Sequence, residues 1–346
     1  MSSEIQALID KATEILRVDQ IQEHERFKVF LNESPECLPL KAEITKNSNN
    51  EFTETNSSNP YKLNKECYIN VPKPWSPAYF NYRAQFNGKI LEDAGIINLF
   101  RLGFQLPDYF AVGLDERSIE YPWYLSCASK TARKILVAGS ALNHPEILKH
   151  EYWNDKELTI VTLAPEANQF ELDWLQYVYS DLRRLPFEDN YFDEVICIST
   201  LEHVGMDNSK FINLPDYNEQ NSSDYLDALS EIHRILKPGG KLLLTVPFGK
   251  HMNYGEFQQF DKIMLDNAAS LFSRENRNER YYYYTPTGWK LADSDEQCSN
   301  LEYSSYAIKS SWGGGMTSCP LDGDGAAAAR AVACCIWEKP LDLISS

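Results

Sequence analysis

The run D-L-R-R-L-P-F-E-D-N-Y-F-D-E-V-I-C-I-S-T-L-E-H-V, residues 181–204, decides how this chain is read. Phe192–Ser199 is a short apolar run, the mark of a strand covered on both faces, and it stops abruptly at Thr200, Glu202 and His203. A second run, E-I-H-R-I-L-K-P-G-G-K-L-L-L-T-V-P-F-G at residues 231–249, joins the end of a helix to another such strand. Leu226, Leu229, Ile232, His233 and Leu236 share one face of a helix predicted over Asp224–Leu236. Ser223 or Asp224 caps it, and Pro238-Gly239-Gly240 stops it before the strand K-L-L-L-T-V-P.

Working outward toward the N-terminus, the sequence predicts strand K-I-L-V-A-G from Lys134, a helix around H-P-E-I-L-K-H-E-Y-W, then strands E-L-T-I-V-T-L and Q-Y-V-Y-S-D. Strands alternating with helices predict an α/β, Rossmann-like parallel sheet with helices on both faces. In such a sheet ligands bind beyond the carboxyl ends of the strands, so the residues just after each strand are the candidates for function. These are Gly139, Ser140, Asn143 and His144 after the first strand, and Thr162 and Leu163 after the second. Asp181 and Leu182 follow the third, and Ser199, Glu202 and His203 follow the fourth.

At these residues the chain resembles the class I S-adenosylmethionine-dependent methyltransferases, over roughly half its length. The loop G-S-A-L-N-H at residues 139–144 is similar to that of a methyltransferase-like subgroup associated with bacterial surface-polysaccharide synthesis. The resemblance implies a seven-stranded sheet and S-adenosyl-L-methionine as cofactor. It places the adenine amino group against the acceptor-only carboxylate of Asp181. The first loop keeps only Gly139 of the family's usual glycines, so Ser140 and Asn143 side chains are expected to supply polar contacts there. Thr162 stands where the family's ribose-binding acid usually lies, and Glu166, one turn later, is a substitute. His203, with Glu202 beside it, is the catalytic candidate, because a neutral imidazole can take the proton of an acceptor hydroxyl. His203 can equally tie down its own loop. The implied reaction is O-methylation of a sugar-containing or small-molecule acceptor. The alternative is a non-catalytic binding or scaffold protein that keeps the fold. An NAD enzyme fits less well, since no G-x-G-x-x-G follows the first strand.

Composition narrows the partners. The 346 residues carry a net charge of −17, which repels phosphate backbones, so nucleic acid is not an expected partner. An apolar share of 43% with no run near the ~20 residues of a membrane helix argues against membrane insertion. Eight scattered cysteines, without zinc-ligand spacing, suggest a reducing compartment and no metal site. The N-terminus lacks the pattern of a signal peptide, and a cytoplasmic location is expected. Nothing in the sequence sets the oligomeric state.

The chain divides by composition into an N-terminal helix with a polar linker (1–60), an irregular aromatic-rich extension (61–130) and the methyltransferase domain (131–346) with a substrate-cover insertion around 250–325. Within the extension one helix is expected over Ile90–Leu102, ended by Gly103, and the segment G-L-D-E-R-S-I-E-Y-P-W-Y-L-S-C closes it. Tyr281–Tyr284, Trp289 and the Trp312-Gly313-Gly314-Gly315 loop are read either as a cover over the acceptor or as a packed subdomain edged by tyrosines. Val332–Trp337 is expected to be the last, antiparallel strand.

Overall fold

The structure is a computed structural model, describing residues 72–166, 168–209, 217–272, 277–310 and 320–341. The N-terminal helix expected within residues 1–60 and the loop at Trp312 lie outside these residues. Five parallel strands form the heart of the molecule: β1 (Lys134–Ala138), β2 (Glu157–Thr162), β3 (Leu175–Tyr179), β4 (Phe192–Ile198) and β5 (Leu236–Pro247). Their spatial order is β3-β2-β1-β4-β5, so the winding reverses between β1 and β4. That reversal opens a crevice above β1.

Beyond β5 the sheet turns antiparallel, through β10 (Ala331–Glu338), β8 (Arg277–Thr285) and β9 (Gly288–Leu291). The last strand is therefore antiparallel as expected, but the sheet has eight strands rather than seven, because β9 adds an edge. The tyrosine run belongs to β8, and Tyr282 is fully buried within the sheet core. A short hairpin, β6 (Met252–Asn253) with β7 (Gln258–Gln259), stands apart from the main sheet.

The pleat of β1 sorts its side chains between two cores. Ile135 and Val137 join one, Leu136 and Ala138 the other. The second core is covered by α5 (Tyr225–Ile235) and α6 (Lys262–Ala269). The first is covered by α1 (Pro77–Glu92), α2 (Ala94–Leu102) and α3 (Arg117–Cys127). Among its described residues the aromatic extension thus holds three helices rather than one. The expected Ile90–Leu102 helix is broken at Asp93, whose carboxylate caps α2 by accepting hydrogen bonds from the Gly95 and Ile96 N–H groups. Gly103, at φ 70°, ends α2 as its sequence position predicts. The remaining helices are short: α4 (Pro145–Leu148) after β1, and α7 (Ser305–Ser310).

Candidate active site

A cavity of about 800 Å³ opens over the carboxyl ends of the parallel strands. Its floor begins at Gly139, whose φ of 83° and N–H bond to the Val161 carbonyl turn the chain sharply out of β1. A Cβ there would stand 2.2 Å from Thr200 Oγ1, so no side chain fits. Ser140 and His144 also line the cavity. Asn143 does not: its Nδ2 donates to the Asn168 carbonyl and its Oδ1 accepts from the Tyr177 hydroxyl. The amide holds the loop to the neighbouring segment instead of facing a ligand. Tyr121 pins the same loop from the other side by donating to the Ala141 carbonyl.

Thr162, Leu163 and Glu166 line the side above β2, and the Thr162 hydroxyl donates to the Ala164 carbonyl. Above β3, Asp181 and Leu182 line the cavity. Burial pushes the Asp181 pKa up, but hydrogen bonds from the Arg183 backbone N–H and guanidinium outweigh it and hold the carboxyl below its usual range. The same guanidinium reaches Glu219 at 2.8 Å and Asp224 at 2.5 Å, tying the rim to the start of α5.

Ser199 follows β4 at φ 37°, and its hydroxyl donates at 2.5 Å to Glu120 of α3, which also accepts from Thr245 of β5 at 2.6 Å. His203 closes a 3-10 turn, Leu201–His203, and lines the cavity. Its Nδ1 lies 2.8 Å from the Glu256 carbonyl, an acceptor only, so Nδ1 carries the proton and Nε2 is the basic atom. Burial lowers its pKa to about 4. Glu202, paired with it as a catalytic candidate, is absent from the lining. Its carboxyl is buried, Oε2 has no hydrogen-bond partner among the described residues, and burial raises its pKa well above the carboxylate range. A neutral acid inside the core is the form these surroundings favour.

The other wall comes from the extension, which sequence reasoning left without a fold. Trp75, Phe80 and Arg83 from the region of α1 and the run Asp115-Glu116-Arg117 before and at the start of α3 line the cavity, joined by Tyr306 of α7, which belongs to the 250–325 insertion and not to the extension. Arg83 pairs with Asp115 and Arg117 pairs with Glu120. The signal was present in three consecutive charged residues inside an otherwise apolar and aromatic segment. The tyrosines of β8 and Trp289, by contrast, are absent from the lining. Trp289 is buried and donates to the Leu114 carbonyl.

The strand order, the turn at Gly139 and the crevice give an α/β Rossmann-like fold with its cavity beyond the carboxyl ends of the parallel strands. Residues 141–244 match the family described as the methyltransferase domain. Similar curated proteins include an uncharacterized protein of Methanocaldococcus jannaschii, 41% identical over 130 residues, 36% of this chain and 49% of that protein. A demethylmenaquinone methyltransferase of Staphylococcus epidermidis is 38% identical over 128 residues, 35% of this chain and 43% of that one. The chain thus spans less than half the length of these relatives. Among solved structures, a putative methyltransferase from Bacillus halodurans is 18% identical with a TM-score of 0.35, over 62% of this chain and 95% of that one.

Proposed function

We propose that the protein is an S-adenosylmethionine-dependent methyltransferase that methylates a hydroxyl oxygen of a small, sugar-containing acceptor. The observation that carries this is the cavity at the β1/β4 reversal, which joins the methyltransferase-domain residues to an aromatic and charged wall. Its volume suits a drug-sized ligand with an acceptor beside it. The exposed side of the Asp181 carboxylate and the polar rim at Ser140, Thr162 and Glu166 suit a nucleoside, while Trp75 and Phe80 offer flat apolar faces to a sugar ring.

When bound, S-adenosylmethionine supplies a sulfonium methyl whose C–S bond breaks as a C–O bond forms, leaving a thioether, while the acceptor hydroxyl gives up its proton. The chain's own part is chiefly to hold the acceptor oxygen in line and to exclude water. His203 lines the cavity in the neutral form at neutral pH, so it is placed to orient the hydroxyl and to take its proton late, as a weak base does. The name of the staphylococcal relative is that of an enzyme acting on a small molecule, which agrees with a small acceptor. Calorimetric titration with S-adenosylhomocysteine tests the reading. Saturable binding to one site supports it, and absence of binding favours the scaffold alternative.

A further inference from the structure

Three carboxylates and two guanidiniums meet where the extension reaches the cavity. Arg83 is taken by Asp115 and Arg117 by Glu120. Glu116 is left over: it is 6% exposed, lines the cavity, and has no ammonium or guanidinium at ion-pair distance among the described residues. One of its oxygens, Oε2, accepts the Ala329 N–H at 3.1 Å. A carboxyl buried without a cation is costly in its charged form unless a ligand brings the cation.

Its place in the cavity narrows what that ligand is. Ala329 lies two residues before β10, and Glu120, one turn beyond Glu116, is bonded to Ser199 and Thr245 at the ends of β4 and β5. Glu116 therefore belongs to the β4-β5-β10 side of the crevice, across β1 from Asp181 on the β3 side. We infer that Glu116 is the counter-ion for a positively charged group of the methyl donor, with the nucleoside end directed at Asp181. This rests on the proposed methyl-donor reading and adds to it a charge partner supplied by the extension. The donor carries two cationic groups, the α-ammonium and the sulfonium.

The groups that face Glu116 set its free state. On its own segment they are Asp115, Arg117 and Glu120; from packed elements they are Glu202, Tyr79 and Tyr303. Burial, followed by the fields of Asp115 and Glu120, raises the Glu116 pKa to about 8. Without ligand the carboxyl is protonated at neutral pH. On binding, Glu116 loses its proton to the buffer and becomes the carboxylate that faces the cation, so charge and protons balance.

The test is calorimetry of the full chain near neutral pH in phosphate and in imidazole buffer, whose ionisation heats differ. S-adenosylmethionine and S-adenosylhomocysteine are the probes, with Glu116→Gln as control. The wild type is expected to release close to one proton more than Glu116→Gln, and its affinity to rise by up to about tenfold per pH unit below the Glu116 pKa. Release with both probes assigns the α-ammonium, and release with S-adenosylmethionine alone assigns the sulfonium. Binding of both probes with no release dependent on Glu116 overturns the inference and leaves the methyl-donor reading standing. No binding at all overturns both. If Glu116→Gln does not fold, the pH dependence of wild-type affinity decides: a flat profile contradicts the inference.

Discussion

At the scale of single residues the cavity is a set of side chains whose charge states are fixed by burial and by their hydrogen-bond partners. His203 is the clearest case: burial lowers its pKa to about 4, and the Glu256 carbonyl fixes the proton on Nδ1. His203→Ala is expected to lower turnover about 10²-fold, the low end for losing a general base, because a base this weak takes little of the proton. His203→Gln should be nearly as slow, and either variant should leave S-adenosylhomocysteine affinity almost unchanged. A glutamine variant with near-full turnover would make the histidine structural only. The same residue gives a stability signature. As pH falls through about 6.5 the unfolded chain binds a proton at His203 that the folded chain refuses until about 4, so stability falls across that window by roughly 3 kcal/mol. Chemical denaturation of wild type and His203→Gln between these pH values measures the difference, and identical slopes would contradict the assignment.

At the scale of elements, legibility in the sequence followed periodicity. Helix α5 was readable because it has one buried face and one wet one, and its observed bounds lie within a residue of the expected Asp224–Leu236. Helix α3 was not, because it is buried nearly all round: Ile119, Glu120, Tyr121, Pro122, Trp123 and Tyr124 are all buried, so no 3.6-residue alternation marks it. Asp115, Arg117 and Glu120, beside and within it, then look like surface charge, although they are ion-paired inside the protein. For the same reason Asp181 was found from its position after a strand, whereas Arg83 and Glu116 were not found. The turn after β1 offers a test at this scale. Gly139→Ala drives a Cβ into Thr200 and forces an L residue to positive φ, and it should cost about 1–3 kcal/mol. Thr200→Ala in the same background should recover part of that loss but not all, since the backbone strain remains. Full recovery in denaturation experiments would show that the clash alone matters, and no loss in the single variant would contradict the tight turn.

At the scale of the whole molecule, the sheet and the extension share one core. Phe86, Ile90 and Phe100 from α1 and α2 are buried in the same cluster as Ile135 and Val137 of β1. Removing residues 1–130 would expose that face of the sheet and take away one wall of the cavity. The fragment 131–346 is therefore expected to lack a cooperative thermal transition, and a sharp transition with intact binding would contradict the shared core. The most direct measurement of the central claim is calorimetric titration of the full chain with S-adenosylhomocysteine, in wild type and Asp181→Ala. The account predicts one saturable site in the wild type and affinity weakened by about 1–3 kcal/mol in the variant, the loss of a charge-assisted hydrogen bond. Absence of binding in a folded wild type, or equal affinity in the two proteins, would contradict it.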